Sequence, residues 1–137
     1  IDDLIVEHSI FHSRKRMGIS VYTDGARTEL PPVQQVLVRQ HPATGRKALY
    51  IASHASHVIG WPEDKGRALI DELLEFATQP QFVYRHRWTE GDLIVWDNRC
   101  TMHRTTPFDE MGVRRILHRT TVSDEANTVE RRQSERD

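Results

Sequence analysis

Only one of the 137 residues is cysteine, Cys100. A lone thiol excludes an internal disulfide and fits a reducing compartment, so a cytoplasmic location is expected. Charge of either sign is not in excess: 19 Lys and Arg against 20 Asp and Glu leave a net charge of −1. Without a global basic field, nucleic acid and anionic membrane surfaces are not expected partners. No apolar run approaches the roughly 20 residues of a membrane-spanning helix. The start, "IDDL", lacks the basic end and long apolar middle of a signal peptide. It also lacks an initiator methionine, so the sequence is expected to begin inside a longer polypeptide. Internal repeats and low-complexity blocks are missing as well. What remains is a chain with 37% hydrophobic and 28% charged residues, long enough for one domain with a real core.

The pattern along the chain is mixed. "IDDLIVEHSIFHSRK" (1–15) places Ile1, Leu4, Ile5, His8 and Phe11 near one helical face, with Gly18 as its stop. Residues 20–32 end in "ELPPV" and read as loop, because Pro31 and Pro32 resist regular structure. "VQQVLVRQ" (33–40) and "ALYIA" (48–52) read as a hairpin turned by "HPATGRK". "SHASHVIG" (53–60) reads as a polar loop. "WPEDKGRALIDELLEFATQ" (61–79) is the best helix, with an apolar stripe of Leu69, Ile70, Leu73, Leu74 and Ala77 suited to covering a sheet. Strands are predicted at 81–88, at the continuous apolar run 93–96, and at 114–122. From Ser123 on, the charged tail reads as a solvated helix or a disordered segment.

The last of these strands carries an unusual amount of charge. Strand alternation points Arg115, Leu117 and Arg119 one way and Arg114, Ile116 and His118 the other. Such a face either meets solvent and acidic neighbours or looks into a cavity that holds an acid. A buried guanidinium needs an anionic partner, and its fork suits a carboxylate. His103 stands twelve positions before Arg115, just after "LIVWDNRCTM". Alone, a histidine there reads as structural; beside two acid-binding arginines it becomes a candidate metal ligand. His54 and His57 are a second possible metal pair, or solvated residues lining a site or a subunit contact. Trp96, Asp97 and Asn98 are expected to set the strand end, and Cys100 to be a small buried residue.

"GDLIVWDNRCTMHRTTPFDEMGVRRILHRTTV", together with the upstream "HPATGRK" hairpin, resembles the C-terminal segment of the TauD/TfdA family of Fe(II)- and 2-oxoglutarate-dependent dioxygenases. The likeness is greatest to the aryloxyalkanoate dioxygenases and runs from about residue 4 to residue 124. It implies a mainly β fold with flanking helices, the C-terminal part of a double-stranded β-helix or jelly roll. Residues 1–124 would form that portion of the dioxygenase domain, and 125–137 a charged tail. The resemblance makes His103 the distal iron ligand, Arg115 the clamp on the far carboxylate of 2-oxoglutarate, and Arg119 the arginine near the substrate's acidic group. Iron(II) and 2-oxoglutarate are the implied cofactor and co-substrate. Molecular oxygen and a small carboxylic acid (aryloxyalkanoate-like) or sulfonic acid are the implied reactants, and a homo-oligomer is expected. The family's other two iron ligands form a His-x-Asp or His-x-Glu pair, and no such tripeptide occurs here. Asp97 is not expected to replace them. The enzyme reading therefore assumes that pair in the full protein. Its rivals are a non-catalytic organic-acid-binding or assembly module on the same fold, and a zinc hydrolase built on His54 and His57.

Overall fold

The computed structural model describes residues 1–19, 30–109, 112, 115–123 and 128–134. Its centre is a three-stranded antiparallel sheet in which β1 (Ile5–His8) lies between β2 (Val33–Val36) and β5 (Ala55–Val58). The expected helix over 1–15 is therefore corrected in its first half. "IVEH" alternates half-buried and buried positions, and pairing on both edges outweighs its helical spacing. The helix begins only after Ser9, whose hydroxyl accepts from the His12 N–H at 3.4 Å. Helix α1 (Ile10–Arg16) ends in a basic turn of Arg14, Lys15 and Arg16. Gly18 then takes a left-handed φ of 77° and stops it, as expected.

The predicted strand 33–40 is interrupted at Leu37, which leaves β2 before it and β3 (Val38–Gln40) after it. Leu37 is fully buried, donates its N–H to the Leu4 carbonyl and accepts from the Tyr50 N–H, so it ties the two sheets together. β3 pairs with β4 (Lys47–Leu49) in the expected hairpin, with Gly45 at a φ of 67° in its turn. The segment 53–60, expected as polar loop, holds β5. Ala55 and Val58 at its ends are fully buried, while Ser56 and His57 between them supplied the polar signal.

Helix α2 (Glu63–Ala77) begins after Pro62, with Glu63 and Asp64 at its positive end. Its predicted stripe covers the sheet: Ile70 is fully buried, and Leu69, Leu73 and Leu74 pack around the core of Val6, Leu37, Val38, Ile51, Ala55 and Val58. Gly66 brings the helix close to β5, where a Cβ would sit 2.9 Å from the Val58 nitrogen. Helix α3 (Thr128–Ser134) is not a solvated tail. The buried Thr128 hydroxyl accepts from the Val36 N–H at 3.1 Å, and Arg132 reaches the Val38 carbonyl at 3.3 Å. It covers the outer edge of β2.

The predicted strands at 81–88, 93–96 and 114–122 do not form among the described residues. Pro80–Phe82 is a short 3-10 helix, and the residues after it have no ladder. Leu93, Val95 and Val122 are 88%, 86% and 93% exposed. Alternation specifies a strand only where a neighbouring strand takes up its backbone groups, and none does so here. Among the described residues, the two sheets do not close into a roll. Among the described residues, no helix is long and apolar enough to cross a membrane.

Candidate functional site

Three groups of polar side chains gather against this framework. The first surrounds His8. Irregular pairing at Glu7 and His8 re-aims the end of β1. The His8 ring then lies 5.4 Å from the Tyr50 ring and 4.9 Å from the His54 ring, centre to centre. The Arg39 guanidinium sits 4.3 Å from the centre of the Tyr50 ring. Burial, reinforced by His54 and Arg39, pushes the His8 pKa down to about 4, and burial lowers His54 as well. Beside them is a cavity of about 540 Å³ whose lining includes His8, Ile10, Leu30, Val33, Tyr50 and His54. Arg67 of α2 steadies this end of β5. It donates to the carbonyls of Ala55 and Ser56 while its other nitrogens grip Asp71.

The second group is the "WDNR" turn. Asp97 accepts from the Arg99 N–H at 2.8 Å and from the Arg99 guanidinium at 2.7 Å, and its other neighbour is His41 Nε2 at 3.1 Å. Arg99 first, then His41, hold its carboxyl well below the usual carboxylate range. Trp96, Asp97 and Asn98 were expected to set a strand end, but 93–96 forms no strand and they shape a turn instead: Trp96 Nε1 donates to Asn98 Oδ1 at 2.9 Å, and Thr101 Oγ1 donates to the Asp97 carbonyl. Cys100 is exposed, which corrects the expectation of a buried thiol. His41, Asp97 and Cys100 are the one trio among the described residues whose metal-capable atoms converge, within 4.8 Å of one another. Both Asp97 oxygens are committed to Arg99 and His41, so the trio reads as a hydrogen-bonded turn. The third group joins Glu7, Ser56 and His57 across β1 and β5, with the Ser56 hydroxyl donating to Glu7 Oε1 at 3.0 Å. His54, against His8, and His57, beside Ser56 and Glu7, thus face different neighbours, and neither belongs to a converging group of three donors among the described residues.

His103, Arg115 and Arg119 all lie in exposed segments without regular structure. The His103 ring is 4.9 Å from Trp96, and the Arg115 guanidinium is 5.3 Å from the Phe108 ring. Among the described residues, no hydrogen bond, ion pair or ring contact joins the three. Arg114 lies outside the described residues. His103 belongs to no converging donor group, so the described side chains do not by themselves make an iron site. His8, Tyr50 and Arg67 were missed as site residues in the sequence. The signal for His8 was present: it stands two positions after Val6, on the same side of a strand.

The profile described as "Taurine catabolism dioxygenase TauD, TfdA family" matches residues 1–121. The chain belongs to the TauD/TfdA family. Its relatives within that family include a protein of Cupriavidus pinatubonensis named alpha-ketoglutarate-dependent 2,4-dichlorophenoxyacetate dioxygenase. The identity is 49%, over 92% of this chain and 44% of that protein. A protein of the same name from a Burkholderia species is 45% identical over 98% of this chain and 45% of its own length. Among solved structures, AAD-2 in complex with Mn(II) and N-oxalylglycine superposes with a TM-score of 0.76 at 47% identity, covering 80% of this chain and 44% of that one. This TauD/TfdA chain therefore spans a little under half the length of the relatives it matches.

Proposed function

We propose that the chain supplies the acid-gripping part of an Fe(II)- and 2-oxoglutarate-dependent dioxygenase that hydroxylates a small organic acid, aryloxyalkanoate-like or sulfonate. The observation that carries this reading is the order "WDNR", His103, Arg115, Arg119 in a TauD/TfdA chain whose relatives are named for that chemistry. The jelly-roll architecture belongs to the same proposal. In it, the segments 83–88, 93–96 and 115–122 become strands once they have neighbours.

In this reading His103 would give one imidazole to the metal. Bound iron would supply the activation of oxygen, with 2-oxoglutarate decarboxylated to succinate as the substrate is hydroxylated. Arg115 presents two parallel N–H groups to the far carboxylate of 2-oxoglutarate. Its present seat over Phe108 is a weak cation–π contact that a carboxylate displaces readily. Arg119, four positions on, points the same way in a strand, roughly 13 Å along it, and meets the acid group of the substrate. Together the two guanidinium groups fix the distance between the two acids, which is a matter of positioning. Hydroxylation beside an aryl ether oxygen would give a hemiacetal that collapses to a phenol and an oxo-acid. A homo-oligomer in the cytoplasm completes the proposal, with residues 1–124 as the dioxygenase portion and helix α3 docked on it rather than trailing as a tail.

The test is succinate release that depends on both oxygen and 2-oxoglutarate, using the full protein and a panel of small acids. Arg115→Ala is expected to raise the KM for 2-oxoglutarate by about tenfold or more, the scale of one lost charge-assisted contact. Arg119→Ala is expected to act on the KM of the acid substrate instead. An Arg115→Ala protein with unchanged 2-oxoglutarate dependence would remove the clamp from the reading.

A further inference from the structure

One hydrogen bond of the "WDNR" turn lies where a metal ion can take its place. His41 Nε2 and Asp97 Oδ2 are 3.1 Å apart, and Cys100 Sγ belongs to the same 4.8 Å cluster. An imidazole, a carboxylate and a thiol thus meet. Each stands on backbone that is held in place. His41 closes the β3–β4 hairpin: its N–H donates to the Arg46 carbonyl and its carbonyl accepts from the Gly45 N–H, both at 2.8 Å. Asp97 and Cys100 share one turn, in which the N–H groups of Cys100 and Thr101 reach the Asp97 carbonyl at 3.3 and 3.0 Å. Arg99 orients the Asp97 carboxylate through Oδ1, at 2.8 Å from its N–H and 2.9 Å from its Nε. Cys100 is exposed, so the cluster is open to solvent. His41 Nδ1 is buried, which leaves Nε2 as the nitrogen for a ligand to reach.

In a tetrahedral zinc site, metal bonds of about 2.0–2.1 Å hold a nitrogen and an oxygen donor roughly 3.3 Å apart. The 3.1 Å between Nε2 and Oδ2 is close to that edge. Sulfur belongs about 3.6 Å from either donor, so Cys100 has roughly 1 Å to close by turning its exposed side chain. Asp97 Oδ2 has two lone pairs; one faces Arg99 Nη2 at 2.7 Å and the other, now turned to His41, is the one for a metal. The carboxylate and a thiolate answer a divalent charge, while Arg99 keeps its grip on Asp97. Calcium and magnesium favour oxygen donors throughout, whereas a thiolate with an imidazole suits zinc. We propose that His41, Asp97 and Cys100 hold a zinc ion, with water in the fourth position. On binding, the imidazole proton passes from Nε2 to Nδ1 and the thiol proton leaves to solvent. Without the ion the trio is a hydrogen-bonded turn; with it, the β3–β4 hairpin is pinned to the turn that leads to His103. His103 is outside the trio, so the site does not depend on the dioxygenase reading.

Cobalt(II) is the probe, because it replaces zinc in tetrahedral sites and reports its ligands by colour. The full protein, reduced and free of iron, is titrated with Co(II) and then with Zn(II). A thiolate-to-cobalt charge-transfer band is expected in the near ultraviolet, saturating at one equivalent per chain and bleached by Zn(II). Metal held by His103 at the proposed iron site gives no such band, so the two sites are read separately. Cys100→Ser is expected to abolish the band. His41→Gln and Asp97→Asn are each expected to weaken Co(II) binding by about tenfold or more, at least the cost of losing an outer-shell partner. No band in the wild type, a band retained in Cys100→Ser, or undiminished affinity in His41→Gln or Asp97→Asn overturns the site. Should those variants not fold, X-ray absorption of the zinc-loaded wild type decides. A sulfur at about 2.3 Å and an imidazole nitrogen at about 2.0–2.1 Å are expected, and a shell lacking either overturns the assignment. No turnover is involved, so neither result bears on succinate release.

Discussion

Protonating His8 would place a charge where burial, His54 and Arg39 all oppose it, which is why its pKa is pushed down to about 4 from an ordinary 6.5. The unfolded chain takes up this proton near 6.5 and the folded chain only near 4. Between those values the unfolded state binds more protons, so stability falls as pH drops through that window. The urea midpoint is expected to decline from pH 6.5 to pH 4 in the wild type and to flatten in His8→Phe. An identical slope in the two proteins would show that other groups carry the acid response. Asp97 acts in the same sense at lower pH: Arg99 first and then His41 hold its carboxyl below the ordinary carboxylate range, so the unfolded chain takes up that proton before the folded one and stability falls again in stronger acid.

Helix α2 meets β5 through Gly66, and that contact is close enough to test by one methyl group. Gly66→Ala brings a Cβ to 2.9 Å from the Val58 nitrogen and 3.2 Å from the Val58 Cβ, so the helix or the strand must move. A loss of about 1–3 kcal/mol in urea unfolding is expected, although alanine is the better helix former. Thr128→Ala should cost about 1 kcal/mol by leaving the Val36 N–H without an acceptor. The same elements show what the sequence could convey. The stripe on α2, the "HPATGRK" hairpin and the Gly18 stop each rest on local chemistry and were legible. β5 was not, because two polar residues sit between its buried ends, and β1 was not, because four residues fit a strand and a helix equally well. The order of His103, Arg115 and Arg119 was legible as a family signature. Their convergence, which the proposed function requires, is not seen among the described residues, where all three lie in exposed segments without strand partners. Thr128 packing on β2 gave no signal either, since its contacts are hydrogen bonds to Val36 and Gln35 rather than apolar burial.

The molecule divides by order: β1 through α2 and α3 form a packed block, while 83–109 and 115–123 carry exposed apolar residues with no ladder. Trypsin is expected to cut first after Arg85, Arg87, Arg104 or Arg119, as followed by mass spectrometry, with the β1 to α2 block persisting longest. First cuts inside α2 would contradict that division. Arg132 of α3 stands 3.8 Å from Asp3, just ahead of β1, so two stretches of chain more than a hundred residues apart are held side by side at this edge of the sheet.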